Sequence, residues 1–148
     1  LAAAFAEMIR NRAGFELISE PELNILTYRY VPETVREALE YGDRDKVREL
    51  NKGLNKITRY IQKTQRAQGR AFVSRTRLNP ARYNGDAVIV FRVVLANPLT
   101  TLEILSDILE EQEGIARDDE TAAVRNRLEE ISGSCFESRK PVLKASDG

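Results

Sequence analysis

The chain has 148 residues, 42% of them hydrophobic and 31% charged, enough for one domain with a buried core. It has no histidine and one cysteine, Cys135, which removes the commonest general base and zinc ligand and excludes an internal disulfide. The formal charge is zero but unevenly placed: nine Lys or Arg and no acid from Lys52 to Gly85, then ten acids against three arginines from Asn97 to Ile131.

Helical spacing of Leu1, Phe5, Met8 and Ile9 predicts an amphipathic helix with Gly14 as its C-terminal cap. Strands are expected at 15–19 and 23–31, divided by Glu20-Pro21 and ended by Pro32. The segment from Glu33 to Asp45 reads as a connection with one short helix. A long helix follows from about Arg44 to Gln68, capped by Asp43 or Asp45. Its apolar stripe is Val47, Leu50, Leu54, Ile57 and Ile61, with Gly69 closing it and Gly53 marking a close approach.

Ala71 to Leu78 reads as a strand and Asn79 to Gly85 as a loop. The hairpin partner, Ala87 to Ala96, is apolar at nine of ten positions and reads as a strand buried on both faces. Thr100 to Glu103 is a capping-box pattern opening a helix whose inner face is Leu102, Leu105, Ile108 and Leu109, ended by Gly114. A last helix is expected from about Asp119 to Ile131, with a loosely held tail from Ser132. The order implies an α+β two-layer sandwich, a small mostly antiparallel sheet with helices on one face. Residues 1–114 form its body, and 115–148 the final helix and tail of the same domain.

Arg92 interrupts the apolar strand. A guanidinium inside a core needs an anion, and the acids lie mainly on the later helices. It is therefore a structural ion-pair partner, an arginine reaching out past a sheet edge, or a site for a substrate carboxylate, held bidentately. Lys52, Lys56, Arg59, Lys63 and Arg66 form one helical stripe, continued by Arg70, Arg75, Arg77 and Arg82. This face is either solvated, or covered by the acidic helices or another subunit, or a nucleic-acid footprint, the last disfavoured by the acidic half. Glu110-Glu111 and Glu129-Glu130 diverge around their helices, so no metal site is expected, and Cys135 has no histidine to activate it. No complete active site is legible.

No apolar run reaches membrane-spanning length and nothing at the start resembles a signal peptide. With a single cysteine, a cytoplasmic setting is expected. The chain opens at Leu1, within a helical pattern and without an initiator methionine, which reads as a piece of a longer protein.

Three blocks carry a resemblance: PELNILTYRYVP (Pro21 to Pro32), QRAQGRAFVSRTRL (Gln65 to Leu78) and VFRVVLANPLTT (Val90 to Thr101). Together they are similar to the C-terminal region of group II pyridoxal-phosphate-dependent decarboxylases, on the bacterial glutamate/aspartate branch. The likeness runs in order over roughly Leu1 to Gly114, and its sharpest element is Phe-Arg-x-x-x-x-Asn-Pro, Phe91 to Pro98.

The resemblance implies the small C-terminal domain of a fold-type-I homodimeric carboxy-lyase. Pyridoxal phosphate would be bound covalently in a large domain of the same polypeptide, and the substrate would be a small acidic amino acid. It implies that Arg92 grips a substrate carboxylate; Arg75 and Arg77, on the adjacent strand, are auxiliary candidates against a plain surface role. The Schiff-base lysine and ring-stacking histidine of the family have no counterpart here, so this chain alone is expected to be inactive. A stand-alone interaction module and a nucleic-acid-binding domain using the Lys52–Arg82 face remain the alternatives.

Overall fold

A computed structural model describes residues 1–69 and 73–137. The elements run α1 (Ala2–Arg10), β1 (Phe15–Glu22), β2 (Ile25–Tyr30), α2 (Glu33–Tyr41), α3 (Arg44–Ala67), β3 (Ser74–Leu78), β4 (Val88–Val94), α4 (Leu102–Ala116) and α5 (Ala122–Glu137). Short 3-10 turns occupy Ala81–Tyr83 and Asp119–Thr121. The strands form one antiparallel sheet in the order β1-β2-β4-β3. Helices α1, α3 and α4 pack on it, and α2 and α5 pack on α3 and on each other. The expected α+β class holds.

The core is built around Tyr28 on β2. Its register partner Phe91 shares its face of the sheet, at 5.2 Å between ring centroids, and Phe5 and Phe15 meet it edge-on at 5.7 and 5.8 Å. The buried hydroxyl donates to Gln112 Oε1 at 2.8 Å, and Gln112 Nε2 donates to Gln65 at 3.1 Å. One phenol thus ties the central strand to α4 and, through it, to α3. Burial pushes the Tyr28 phenol above its ordinary pKa, so it stays a neutral donor.

Asp43 caps α3, accepting from the Lys46 amide at 2.9 Å, as expected. Val47, Leu50, Leu54, Ile57 and Ile61 are buried, each contributing about 1.5–3 kcal/mol of burial. Gly53 lies against α5: a Cβ there would stand 2.7 Å from Leu128 Cδ2, so the close approach read from sequence is real.

Several boundaries differ from expectation. Helix α1 ends at Arg10 with Asn11 as its cap, not Gly14. Strand β1 runs through Pro21, which an edge strand tolerates, and the turn falls at Leu23-Asn24. The N-cap of α4 is Thr101, accepting from the Ile104 amide at 3.3 Å, not Thr100; Leu102 is consequently exposed, and Gln112 joins Leu105, Ile108 and Leu109 inside. Helix α4 passes Gly114 to Ala116. Helix α5 continues to Glu137 with Ser132 and Cys135 buried, so the tail does not loosen at Ser132. The start of the expected third strand (71–72), Arg70 of the basic run and residues 138–148 lie outside the described residues.

Candidate functional site

Strand β4 is buried from Val88 to Phe91, but Arg92 and Val94 are exposed. The two-sided burial expected of this strand therefore fails at its second half. Arg92 escapes the cost of an interior charge by facing solvent. It stands between Thr27 on β2 and Ser74 on β3, its register partners, and Ser74 Oγ donates to its carbonyl at 3.3 Å. Its guanidinium makes no ion pair with the described residues.

Arg75 and Arg77 are also exposed, but they pair with Phe91 and Ile89 across the β3–β4 ladder. Side chains alternate along a strand, so both project to the face opposite Arg92. The structure does not bring the three arginines together.

The surroundings of Arg92 are unusually apolar for a surface. Ile25 pairs with Val94, which is 42% exposed. At the turn beyond it, Leu23 is 92% exposed and held at φ 57°, in the left-handed region that disfavours leucine. Leu99 follows in the loop after β4 at 79% exposure. Leu23, Val94 and Leu99 thus leave apolar surface uncovered after β4 and at the turn before β2.

The buried arginine of the sheet is Arg29, fully enclosed. The β2–β4 ladder stops at Tyr28–Phe91, and two asparagines one turn apart on α3 serve the groups beyond it. The Ile89 amide donates to Asn55 Oδ1 at 2.8 Å, and Asn55 Nδ2 donates to the Ala87 carbonyl at 2.9 Å. Asn51 Oδ1 accepts from Arg29 Nη1 at 2.9 Å. Arg29 Nε donates to Glu16 Oε1 at 2.7 Å, and its guanidinium lies 5.0 Å from the centre of the Tyr83 ring. The Tyr83 hydroxyl bonds the other Glu16 oxygen. Burial, opposed by Arg29 and reinforced by Glu16, pushes the Tyr83 phenol up to about 12.

Sequence reasoning missed this cluster for a definite reason. A regular hairpin closed at Leu23-Asn24 would set Ile18 opposite Arg29. Two irregularities in β1 slip the register so that Glu16 takes that place.

The basic stripe of α3 (Lys52, Lys56, Arg59, Lys63, Arg66) is exposed along its length and is not covered by the acidic helices. Lys52 bonds Glu49, and Lys46 donates to the Ser134 carbonyl at 3.3 Å. The described lysines thus all lie on the outer side of α3 and its first turn, and the chain has no histidine to stack on a cofactor ring. They do not fit a covalently held pyridoxal phosphate. No helix among the described residues is long and apolar enough to cross a membrane.

No protein-family model matches the chain. Among curated proteins it is 54% identical over 116 residues to aspartate 1-decarboxylase of Aliivibrio fischeri, covering 78% of this chain and 21% of that protein. The chain thus spans about a fifth of the length of the curated relative it matches. Among solved structures it is similar to mouse CSAD, with TM-score 0.61 and 24% identity over 78% of this chain and 22% of that one. The apo form of mouse CSAD gives 0.58 and 26%, over 78% and 21%. The glutamate decarboxylase domain of diaminobutyrate-pyruvate transaminase and L-2,4-diaminobutyrate decarboxylase from Vibrio parahaemolyticus gives 0.55 and 21%, over 78% and 20%. The chain has the α+β fold of the small C-terminal domain of pyridoxal-phosphate-dependent decarboxylases.

Proposed function

We propose that this chain is the small C-terminal domain of a decarboxylase acting on an acidic amino acid of the aspartate or glutamate type, with Arg92 holding a substrate carboxylate. The observation that carries the reading is the 54% identity to a protein named for aspartate decarboxylation, supported by the fold shared with decarboxylase small domains. An acidic amino acid presents two carboxylates. A bidentate guanidinium that fixes one of them decides which is left free to depart, a positioning effect able to supply several kcal/mol. Arg92 suits the task because it makes no ion pair with the described residues.

The cofactor, pyridoxal phosphate, belongs in this reading to a large domain supplied by the rest of the polypeptide. That domain covers the Leu23, Val94 and Leu99 rim and brings the reacting groups to Arg92. Homodimeric assembly and a cytoplasmic location complete the proposal.

An exchange tests it. The matched stretch of the Aliivibrio decarboxylase is replaced by the corresponding residues of this chain, and carbon dioxide release from aspartate is followed with pyridoxal phosphate present. The hybrid should keep activity within about tenfold of the parent, as expected when the exchanged residues leave the chemistry in place. The 148-residue chain alone should release none. A folded hybrid without activity, or an active isolated chain, would contradict the assignment.

A further inference from the structure

A cavity of about 580 Å³ opens between the end of α1, strand β1, helix α2 and the 3-10 turn at Ala81–Tyr83; Arg92 is not among its walls. Six charges line it, three arginines and three glutamates. Four are committed: Arg10 to Glu20, and Arg82 to Glu16 at 3.7 Å. The remaining two, Arg36 and Glu40, stand four residues apart on α2, where opposite charges ordinarily pair along the helix. Here they do not.

Arg36 turns instead to the backbone of the preceding segment, donating to the Phe15 carbonyl and, at 3.4 Å, to that of Arg12. Those acceptors are neutral, so among the described residues the positive charge has no ion-pair partner, and its buried Nε has no hydrogen-bond partner. Glu40 forms no ion pair with the described residues. A buried donor without a protein partner is completed by a water, an ion or a ligand group.

We propose that this cavity binds a small dipolar amino acid, its carboxylate at Arg36 and its ammonium at Glu40. A lone anion would leave Glu40 unmatched and meet its repulsion, and a lone cation would do the same at Arg36. The cavity carries equal numbers of both signs, so a ligand carrying both leaves neither uncompensated. The site is separate from Arg92, so it stands or falls independently of the decarboxylase reading.

Three probes with one three-carbon skeleton decide it: β-alanine, propionate and propylamine, titrated into the isotopically labelled 148-residue chain and followed by amide chemical shifts. Saturable binding of β-alanine is expected, at least tenfold tighter than either singly charged probe, with shifts centred on α2 and β1. Glu40→Gln, at an exposed position, should weaken β-alanine at least tenfold while leaving propionate unchanged or improved. Arg36→Gln should abolish both. Equal binding of β-alanine and propionate, indifference to Glu40→Gln, or no saturation with β-alanine would each overturn the proposal.

Discussion

Arg29 and Arg92 occupy the same sheet with opposite electrostatic solutions. Arg29 is enclosed and answered by Glu16, Asn51 and the Tyr83 ring, yet among the described residues its Nη2 and the neighbouring Asn51 Nδ2 lack acceptors. Such a pair adds little over an apolar replacement, but removing one member strands a buried charge. Glu16→Gln keeps the shape and removes the compensation. It should cost about 3–5 kcal/mol, read as a lower urea midpoint with an unchanged slope. A loss below about 1 kcal/mol would mean that neutral partners suffice for this guanidinium.

The apolar run around Arg92 made that residue conspicuous, whereas Arg29 looked like one polar position in a strand with mixed faces. Burial of a strand position depends on which neighbours cover it, and a single strand's composition does not carry that information. Arg29 is enclosed where Glu16, Asn51 of α3 and the Tyr83 ring meet it, and none of these is visible in its strand's own composition.

Elements with strong periodicity were legible. Helix α3 was readable nearly to the residue because its apolar stripe, its Asp43 cap and its terminal Gly69 agree with one another. Gly53 was legible for the same reason, as a costly residue in an otherwise good helix. Gly53→Val should destabilise by about 1–3 kcal/mol through overpacking against Leu128. It should also raise amide exchange in α5 more than in the sheet, and uniform exchange rates would show that α5 does not depend on this contact.

The β1–β2 hairpin was the least legible element. Glu20-Pro21 carries a strong turn signal, but β1 is an edge strand and accommodates proline, so the chain turns later, on a leucine in the left-handed region. Local propensity lost there to the pairing of two strands, and the register that places Glu16 beside Arg29 followed from that outcome. The end of α5 was misjudged similarly: serine and charge after Ile131 suggested a loose tail, while contacts with α2 and α3 keep Ser132 and Cys135 inside.

At the scale of the molecule, hairpins and helices read from periodicity gave the architecture, and three short blocks gave its relatives. The arrangement of the candidate arginines was not legible: Arg75 and Arg77, on the strand next to Arg92, proved to face the other way. In the proposed reading the fold presents one side of a site: an arginine with no ion pair among the described residues, the exposed Leu23, Val94 and Leu99, and about a fifth of the length of its curated relative.

The direct test is the kinetics of Arg92→Gln in the active hybrid with the Aliivibrio enzyme. The account expects kcat/KM for aspartate to fall about a hundredfold or more, the scale of a lost bidentate carboxylate clamp, with thermal unfolding unchanged. Kinetics within about twofold of the unsubstituted hybrid, a difference of under half a kcal/mol in transition-state binding, would remove Arg92 from the site.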